Sequence, residues 1–111
     1  MNIFVRIIIQ TASVFIAASI LPGVEVDSMV TTFIVAIVLG VINVFLKPIL
    51  VLLTLPITIV TFGLFILVIN ALLVLLASAL VSGFYVDGFW WALLFSIIVS
   101  LVSSFLESLN K

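Results

Sequence analysis

The chain has 111 residues, of which 68% are hydrophobic and 6% charged, and its net charge is −1. Soluble domains are about half apolar and about a quarter charged, so a water-soluble fold is excluded and a single membrane domain, 1–111, is predicted. The three cations are scattered, which excludes the basic stripe needed for nucleic-acid binding. Cysteine and histidine are absent from the sequence, so disulfides and thiolate or imidazole metal sites are excluded.

Four apolar segments are long enough to cross the ~30 Å hydrocarbon core of a bilayer, which takes about 20 residues of helix. Backbone groups in lipid must bond internally, so each segment is predicted to be an α-helix despite its many valines and isoleucines. The predicted helices are 3–21, 29–46, 63–82 and 89–106. The residues that follow the four helices are, respectively, Pro22-Gly23, Lys47-Pro48, Gly83 and a polar tail, 107–111.

The distribution of charge predicts the orientation of these helices. The two short connections, 22–28 and 83–88, contain three carboxylates and no cation. The cations lie at the other helix ends, as Arg6, Lys47 and Lys111. Because positively charged connections stay on the cytoplasmic side, both termini are predicted to be cytoplasmic and both short connections external.

The external ends combine aromatic and acidic residues. The rings are expected to form an interfacial belt, and the aspartates to cap the helices that follow them. The belt residues are Phe84, Tyr85, Phe89, Trp90 and Trp91, and the capping residues are Asp27 and Asp87.

The segment between the second and third helices, 48–62, is apolar but too short for a crossing. A helix of 15 residues reaches about 22 Å. Joining it to the second helix would bury Lys47, and joining it to the third would make a helix that is too long and is interrupted by Pro56. Pro48 is therefore predicted to end the second helix, and Pro56 to bend the segment.

Threonines give this segment one polar stripe. Thr54, Thr58 and Thr61 follow helical spacing, and Lys47 extends the same face. An interfacial helix requires such a stripe, whereas a re-entrant segment would use the threonine hydroxyls to satisfy loosened backbone. Both placements remain open at this stage.

The two halves of the chain resemble each other. A shift of 60 residues places Gly23 on Gly83 and Asp27 on Asp87, and the match extends to Gln10 and Asn70 without gaps. Since each half has two crossings, both halves point the same way. The predicted fold is therefore all-α: four transmembrane helices as two parallel-repeat hairpins, 3–46 and 63–106, joined by the re-entrant or interfacial segment.

Three amides, Gln10, Asn43 and Asn70, lie within the predicted helices. An unpaired amide in hydrocarbon is costly, so each is expected to face another helix. One interpretation is that they form interhelical hydrogen bonds. The other is that Gln10 and Asn70, which lie at equivalent depths in the two halves, flank the symmetry axis and line a polar path.

Small residues four positions apart mark two helix faces. Ala36 and Gly40 lie on the second helix, and their repeat equivalents are Ser96 and Ser100. Such pairs let helix backbones approach closely. We expect them to pack inside the chain, while contact between neighbouring chains remains the alternative.

Chemistry-bearing residues are sparse. None of the predicted helices has an ionisable residue at its centre, which argues against a proton-coupled or ion-coupled pump. No nucleophile lies with a base, and no cluster of metal ligands is present. The sequence therefore predicts a protein without enzymatic activity, catalytic residues, cofactor or metal.

The run "NVFLKPILVLLTLPITIVTFGLFILVINALL", 43–73, carries a recognisable pattern, N-x-x-L-K-P-I-L followed by L-P-x-T, F-G-L-F and I-N-A-L. With "LPGVEVDS" and "LVSGFYVDGFWWALLFSIIVSLVS" it resembles the phage-holin-type family of small bacterial membrane proteins, the mycobacterial-type four-span holins. The resemblance covers nearly the whole chain. It implies four spans and a location in the bacterial cytoplasmic membrane.

Three functions follow from these observations. The favoured one is a non-enzymatic, self-associating envelope protein that contacts membrane lipids, itself and unidentified protein partners. The family name implies the second, a holin-type lesion former that permeabilises the membrane. The third is a small passive channel or transporter. A water-lined lesion should expose a polar helix face, and these helices offer only scattered Gln, Asn, Ser and Thr.

Overall fold

The computed structural model describes residues 2–110 as five helices and two short strands. The helices are α1 (Ile3–Ile20), α2 (Met29–Leu53), α3 (Leu55–Val60), α4 (Phe65–Leu80) and α5 (Phe89–Leu109), and the strands are β1 (Val24–Val26) and β2 (Phe84–Val86). The chain is thus mostly helical, but the prediction of a purely helical fold missed the strands. Each strand has only three residues and lies inside a connection that the sequence presents as a turn.

The strands join the two halves of the chain. They pair antiparallel, with Val24 opposite Val86 and Glu25 opposite Tyr85. Two further hydrogen bonds flank the pairing: the Asp27 amide donates to the Gly83 carbonyl at 2.9 Å, and the Asp87 amide donates to the Gly23 carbonyl at 2.8 Å. A shift of 60 residues exchanges these two bonds, so the pairing has the approximate two-fold symmetry of the sequence repeat.

Helix starts differ from the predicted caps. The Ser28 hydroxyl accepts the Thr31 amide at 3.1 Å and caps α2, while Gly88 precedes α5 without a side-chain cap. The expectation that Asp27 and Asp87 cap these helices was therefore wrong. Each aspartate lies one residue too early, since its amide is used in the strand pairing.

The long helices form a ring. Helix α1 packs against α2 and α5, and α4 packs against the same two helices. Across residues 2–110, the diagonal pairs α1–α4 and α2–α5 make no helix contact. Small and branched side chains fill the ring near the strands, where Val14, Val35, Ala77 and Phe95 are fully buried.

The outside of the ring is apolar. Large exposed side chains include Phe4 on α1, Phe33 and Phe45 on α2, and Leu101 and Phe105 on α5. Helices α1, α2 and α5 are long and apolar enough to cross a membrane, while α4 is apolar but has only 16 residues. A membrane is therefore the solvent that this surface requires.

The prediction that Pro48 ends the second helix was wrong, because α2 continues to Leu53. Proline removes one hydrogen bond, and helices in membranes tolerate that loss. The helix ends at Thr54, whose hydroxyl bonds the Leu50 carbonyl at 2.8 Å. Pro56 follows in the first turn of α3, where its missing N–H is not needed.

The connection from α3 to α4 is a tight turn. Phe62 and Gly63 both have positive φ, 56° and 86°, and the Gly63 amide donates to the Thr58 carbonyl at 2.8 Å, as at many helix C-termini. The Thr61 hydroxyl accepts the Phe65 amide at 3.2 Å. This turn makes α4 begin at Phe65, two residues later than the predicted start at Gly63.

The strand alternation corrects the predicted aromatic belt. Phe84 points into the core, where it is fully buried, with its ring centroid 5.5 Å from that of Phe95. The next residue, Tyr85, points outward, and Trp90 is also exposed. Successive side chains of a strand face opposite sides, so one of two adjacent rings had to leave the interface.

A polar pocket between the helices as the candidate functional site

A pocket of about 60 Å³ lies inside the ring, and all four long helices contribute to it. We call it the polar pocket. The structure brings the three predicted amides together here, with Lys47 and the two serines of α5. The lining residues are Gln10 from α1; Leu39, Asn43 and Lys47 from α2; Asn70, Leu73 and Val74 from α4; and Phe95, Ser96, Val99 and Ser100 from α5.

Helix geometry gives the depth of these residues. With a rise of ~1.5 Å per residue, Gln10 and Asn70 lie about 15 Å from the ends of α1 and α4 nearest the strands. Asn43 lies about 21 Å, and Lys47 about 27 Å, from the start of α2. The polar pocket therefore extends from the middle of the bundle towards the end that carries Lys47, which we call the lysine end.

The opposite end, which carries the strands and which we call the sheet end, is closed. Val14, Val35 and Phe84 are fully buried, and Phe95 lines the polar pocket from that side with no exposed surface. These side chains form an apolar plug. The geometry is that of a blind pocket, and it lacks the continuous polar path that a channel requires.

The side-chain amides of the polar pocket are not hydrogen-bonded to one another within residues 2–110. Within residues 2–110, no side-chain hydrogen bond involves Gln10, Asn43 or Asn70, and no side-chain hydrogen bond joins two of the helices. The Ser96 hydroxyl bonds within its own helix, to the Leu93 carbonyl at 2.9 Å. The interhelical hydrogen bonds expected for the amides are therefore absent from this part of the chain. All three residues line the pocket, with Gln10 and Asn70 half-buried and Asn43 exposed at its edge.

In each of the two small-residue pairs, one residue is buried and the other is not. Ala36 and Ser96 are buried, as packing inside the chain requires. Gly40 is different, since a Cβ built on it would meet nothing within 4 Å. Ser100 is exposed and borders the polar pocket. The expectation of close packing inside the chain was wrong for Gly40.

The remaining candidates lie outside the polar pocket. Pro48 is in the last turns of α2, while Thr54 and Pro56 mark the break before α3. Thr58 is 7% exposed, and its hydroxyl has no hydrogen-bond partner among residues 2–110. The Thr58 amide donates to the Thr54 carbonyl at 2.9 Å across the break between α2 and α3, and the threonine stripe stays a prediction.

The sequence named Ser96 and Ser100 only for their small size and missed their place in the polar pocket. Depth was the available signal. Ser100 lies about 16 Å from the start of α5, close to the ~15 Å of Gln10 and Asn70. A polar residue at matching depth on each of several helices indicates a common site.

The carboxylates of the sheet end do not form a cluster. Glu25 and Asp27 border an open pocket of about 500 Å³ at the sheet end, and Asp87 is not part of its lining. In the stretch from Asn2 to Asn110, no three His, Cys, Asp or Glu side chains are grouped as a metal site would require.

The sequence pattern of a known family, mycobacterial 4 TMS phage holin, superfamily IV, matches residues 1–105. The chain belongs to this family. The family resemblance of the chain is thereby confirmed. The family description gives four spans, and the structure has three helices long enough to cross a membrane and the shorter apolar helix α4. The polar pocket of this holin-family protein lies among those four helices.

Two curated relatives share most of the length. An uncharacterized protein of Streptomyces coelicolor is 38% identical over 112 residues, covering 92% of this chain and 90% of the relative. The uncharacterized membrane protein YvlD of Bacillus subtilis is 35% identical over 98 residues, covering 87% of this chain and 82% of the relative. No solved structure matches this holin-family chain. The apolar helices of this chain and the description of YvlD as a membrane protein therefore agree on a membrane location.

Proposed function

We propose that this chain is a non-enzymatic, non-lytic and self-associating protein of the bacterial cytoplasmic membrane. The observation that carries this proposal is the placement of polarity. The amides and Lys47 line a pocket inside the ring, and the outside is apolar. Such a molecule does not need a water-filled lesion around it, because its amides at membrane depth line a pocket between its own helices.

Lesion formation would need a different surface. A holin lesion is lined by water, so helices around it must present polar faces to the lumen. Here the exposed faces of α1, α2 and α5 carry Phe4, Phe45 and Phe105, which water does not favour. To line a lesion, the ring would have to open and turn the polar pocket outward, at the cost of the packed core between the helices.

Controlled expression in a bacterium with a potential-sensitive dye tests the proposal. We expect growth and membrane potential to stay normal at high expression, with an ionophore as the positive control for the dye. Abrupt depolarisation at a fixed time would instead establish the holin-type alternative. A slow leak that depends on the expression level would establish the channel alternative, which the apolar plug at the sheet end argues against.

The crossing pattern belongs to the same proposal. Both hairpins run in the same direction, the termini lie in the cytoplasm, and the sheet end is external. The charge distribution supports this orientation, since Arg6 and Lys47 lie away from the strands. Cysteines replacing Glu25 and Ser108 in this cysteine-free chain test it: an impermeant maleimide should label Glu25→Cys in intact cells and leave Ser108→Cys unlabelled. The reverse labelling would overturn the orientation.

The segment 48–62 is proposed to lie in the cytoplasmic interface. Lys47 is already about 27 Å from the start of α2, close to the full core thickness of ~30 Å. The residues that follow, including Leu53, Val60 and Phe62, expose apolar side chains that suit the headgroup boundary. A spin label at Phe62 should respond to both oxygen and a water-soluble relaxation agent. Response to oxygen alone would indicate a re-entrant placement.

Self-association is proposed to use the face around Gly40. The backbone at Gly40, where an added Cβ would meet no described atom within 4 Å, can accept a helix from a neighbouring chain. Val44 is exposed one turn further along the same face. We expect Val44→Cys to form disulfide-linked dimers in membranes, and Gly40→Leu to suppress them. Phe105→Cys, on an exposed face of α5, is the matched control that should remain monomeric, and equal cross-linking at both positions would contradict the proposal.

A further inference from the structure

The polar pocket contains a positive charge with no negative partner in its lining. Lys47 is partly buried there, and the eleven lining residues, all within 2–110, include no Asp or Glu. Lys47 lies near the edge of the hydrocarbon core, about 27 Å from the start of α2, where a lysine can also reach headgroups or water. The lining therefore offers an anion that enters from the lysine end a positive charge without a competing carboxylate.

The other polar groups of the polar pocket are suited to binding an anion. Gln10, Asn43 and Asn70 each carry two N–H donors, and no side chain among residues 2–110 uses them. Ser100 adds a hydroxyl. Amide groups that converge on one space from α1, α2 and α4 can all turn their donors towards a negatively charged ligand.

The size of the polar pocket limits the ligand. A site for one water needs roughly 10–15 Å³, so about 60 Å³ exceeds the needs of a single water or a similarly small ion. Nucleotides and sugars need pockets of about 300 Å³ or more. An oxyanion with several acceptor oxygens fits between these limits, and it can meet donors on separate helices at once.

We infer that the polar pocket binds one phosphate-sized oxyanion, with Lys47 as the counter-charge and the three amides as donors. The ligand enters from the lysine end, because the apolar plug closes the sheet end. The phosphate is supplied either as a dissolved ion or as part of a lipid headgroup, which present the same chemistry to Lys47. The inference goes beyond the proposed function.

The purified protein in nanodiscs of digalactosyldiacylglycerol, a bilayer lipid without phosphate, tests the inference. Sodium phosphate is compared with sodium gluconate, an anion too large for the polar pocket, at equal ionic strength. Unfolding is followed through the fluorescence of Trp90 and Trp91, which lie at the sheet end and outside the pocket lining. We expect phosphate to raise the Tm in a saturable manner, because a ligand that binds only the folded state stabilises it.

Two charge-removal variants separate site binding from general electrostatics. Lys47→Met should abolish the phosphate-dependent rise in Tm. Arg6→Met removes a cation at the same end of the bundle but outside the polar pocket, and it should keep the rise. Equal responses of both variants and the wild type would overturn the inference, as would the absence of any response to phosphate in both lipid compositions described below.

A third variant covers the case in which Lys47→Met fails to fold. Asn70→Asp replaces an amide of the pocket lining with a carboxylate, whose negative charge repels an anion, so it should weaken phosphate binding by at least about tenfold while Lys47 remains in place. Unchanged affinity in Asn70→Asp would overturn the inference independently.

Nanodiscs that contain phosphatidylglycerol distinguish the two sources of phosphate. If the lipid headgroup is the ligand, this lipid raises the Tm in a manner that depends on Lys47, and added phosphate has no further effect. If the dissolved ion is the ligand, phosphate gives the same rise in both lipid compositions. Either result supports the site, and neither depends on the outcome of the dye experiment that tests the proposed function.

Discussion

The two ends of the bundle differ in how many of their polar groups have hydrogen-bond partners within the chain. At the sheet end, the strands and the flanking hydrogen bonds obey the two-fold repeat, and their backbone groups are paired. The buried rings do not follow it, since Phe84 and Phe95 correspond to Val24 and Val35. At the lysine end the repeat is not obeyed, since Lys47 corresponds to Glu107. Amides there face a pocket, and Thr58 has a buried hydroxyl without a partner within residues 2–110.

This difference separates two roles within one small fold. The sheet end holds the hairpins together, because each strand belongs to a different hairpin and neither is stable alone. The lysine end retains polar groups that a purely structural bundle would have replaced with apolar ones. Groups of that kind cost stability and are expected where a protein binds something. Mutations should therefore destabilise the sheet end strongly and the lysine end weakly, or even stabilise it.

The largest effect is expected for Phe84→Ala at the sheet end. Phe84 is fully buried against Phe95, so its truncation should leave a cavity and cost about 3–5 kcal/mol of unfolding free energy. Tyr85→Ala is the matched control, since this neighbouring ring is exposed, and it should cost under about 1 kcal/mol. Equilibrium unfolding in mixed micelles measures both, and similar losses would show that the sheet end is not the anchored half.

A smaller loss is expected for Gly83→Ala. Gly83 has φ of +91°, and an added Cβ would collide with the Asp27 carboxylate that lies over it. The left-handed backbone alone costs roughly 1–2 kcal/mol for a residue with a side chain, and the collision adds to that cost. Gly88→Ala shares the positive φ, +101°, but a Cβ there meets nothing within 4 Å.

The difference between the two glycine variants isolates the collision with Asp27. We expect Gly83→Ala to unfold more readily than Gly88→Ala in the same mixed-micelle titration. If the two variants lose equal stability, backbone conformation alone explains both, and the close approach of the two connections contributes nothing.

Much of the sheet end was open to prediction from the sequence. The 60-residue repeat, the four apolar segments and the positions of Gly23 and Gly83 all follow from pattern. The strands were missed because three-residue strands lack the periodicity that identifies longer ones. Phe84 was assigned to the interface because composition does not show which of two adjacent rings faces inward.

The lysine end was less predictable. The sequence identified Gln10, Asn43 and Asn70 as unusual but left open whether they bond to each other or line a path. The rule that proline ends helices failed at Pro48, since its penalty is smaller in a membrane-embedded helix than in water. Ser96 and Ser100 were recognised only as small, because their contribution to the polar pocket depends on how α5 faces α2 and α4.

The smallest effect, with the opposite sign, is expected at the lysine end for Thr58→Val. The Thr58 hydroxyl is buried without a partner among residues 2–110, so an apolar group of the same shape should stabilise the fold by about 1 kcal/mol. Thr61→Val is the matched control: the Thr61 hydroxyl bonds the Ile57 carbonyl at 3.0 Å and the Phe65 amide at 3.2 Å, so its loss should cost about 1 kcal/mol. The same micelle titration reads both changes. A loss of stability in Thr58→Val equal to that in Thr61→Val would mean that the Thr58 hydroxyl has a partner in the membrane, such as a lipid headgroup or water, and that the lysine end is as fully satisfied as the sheet end.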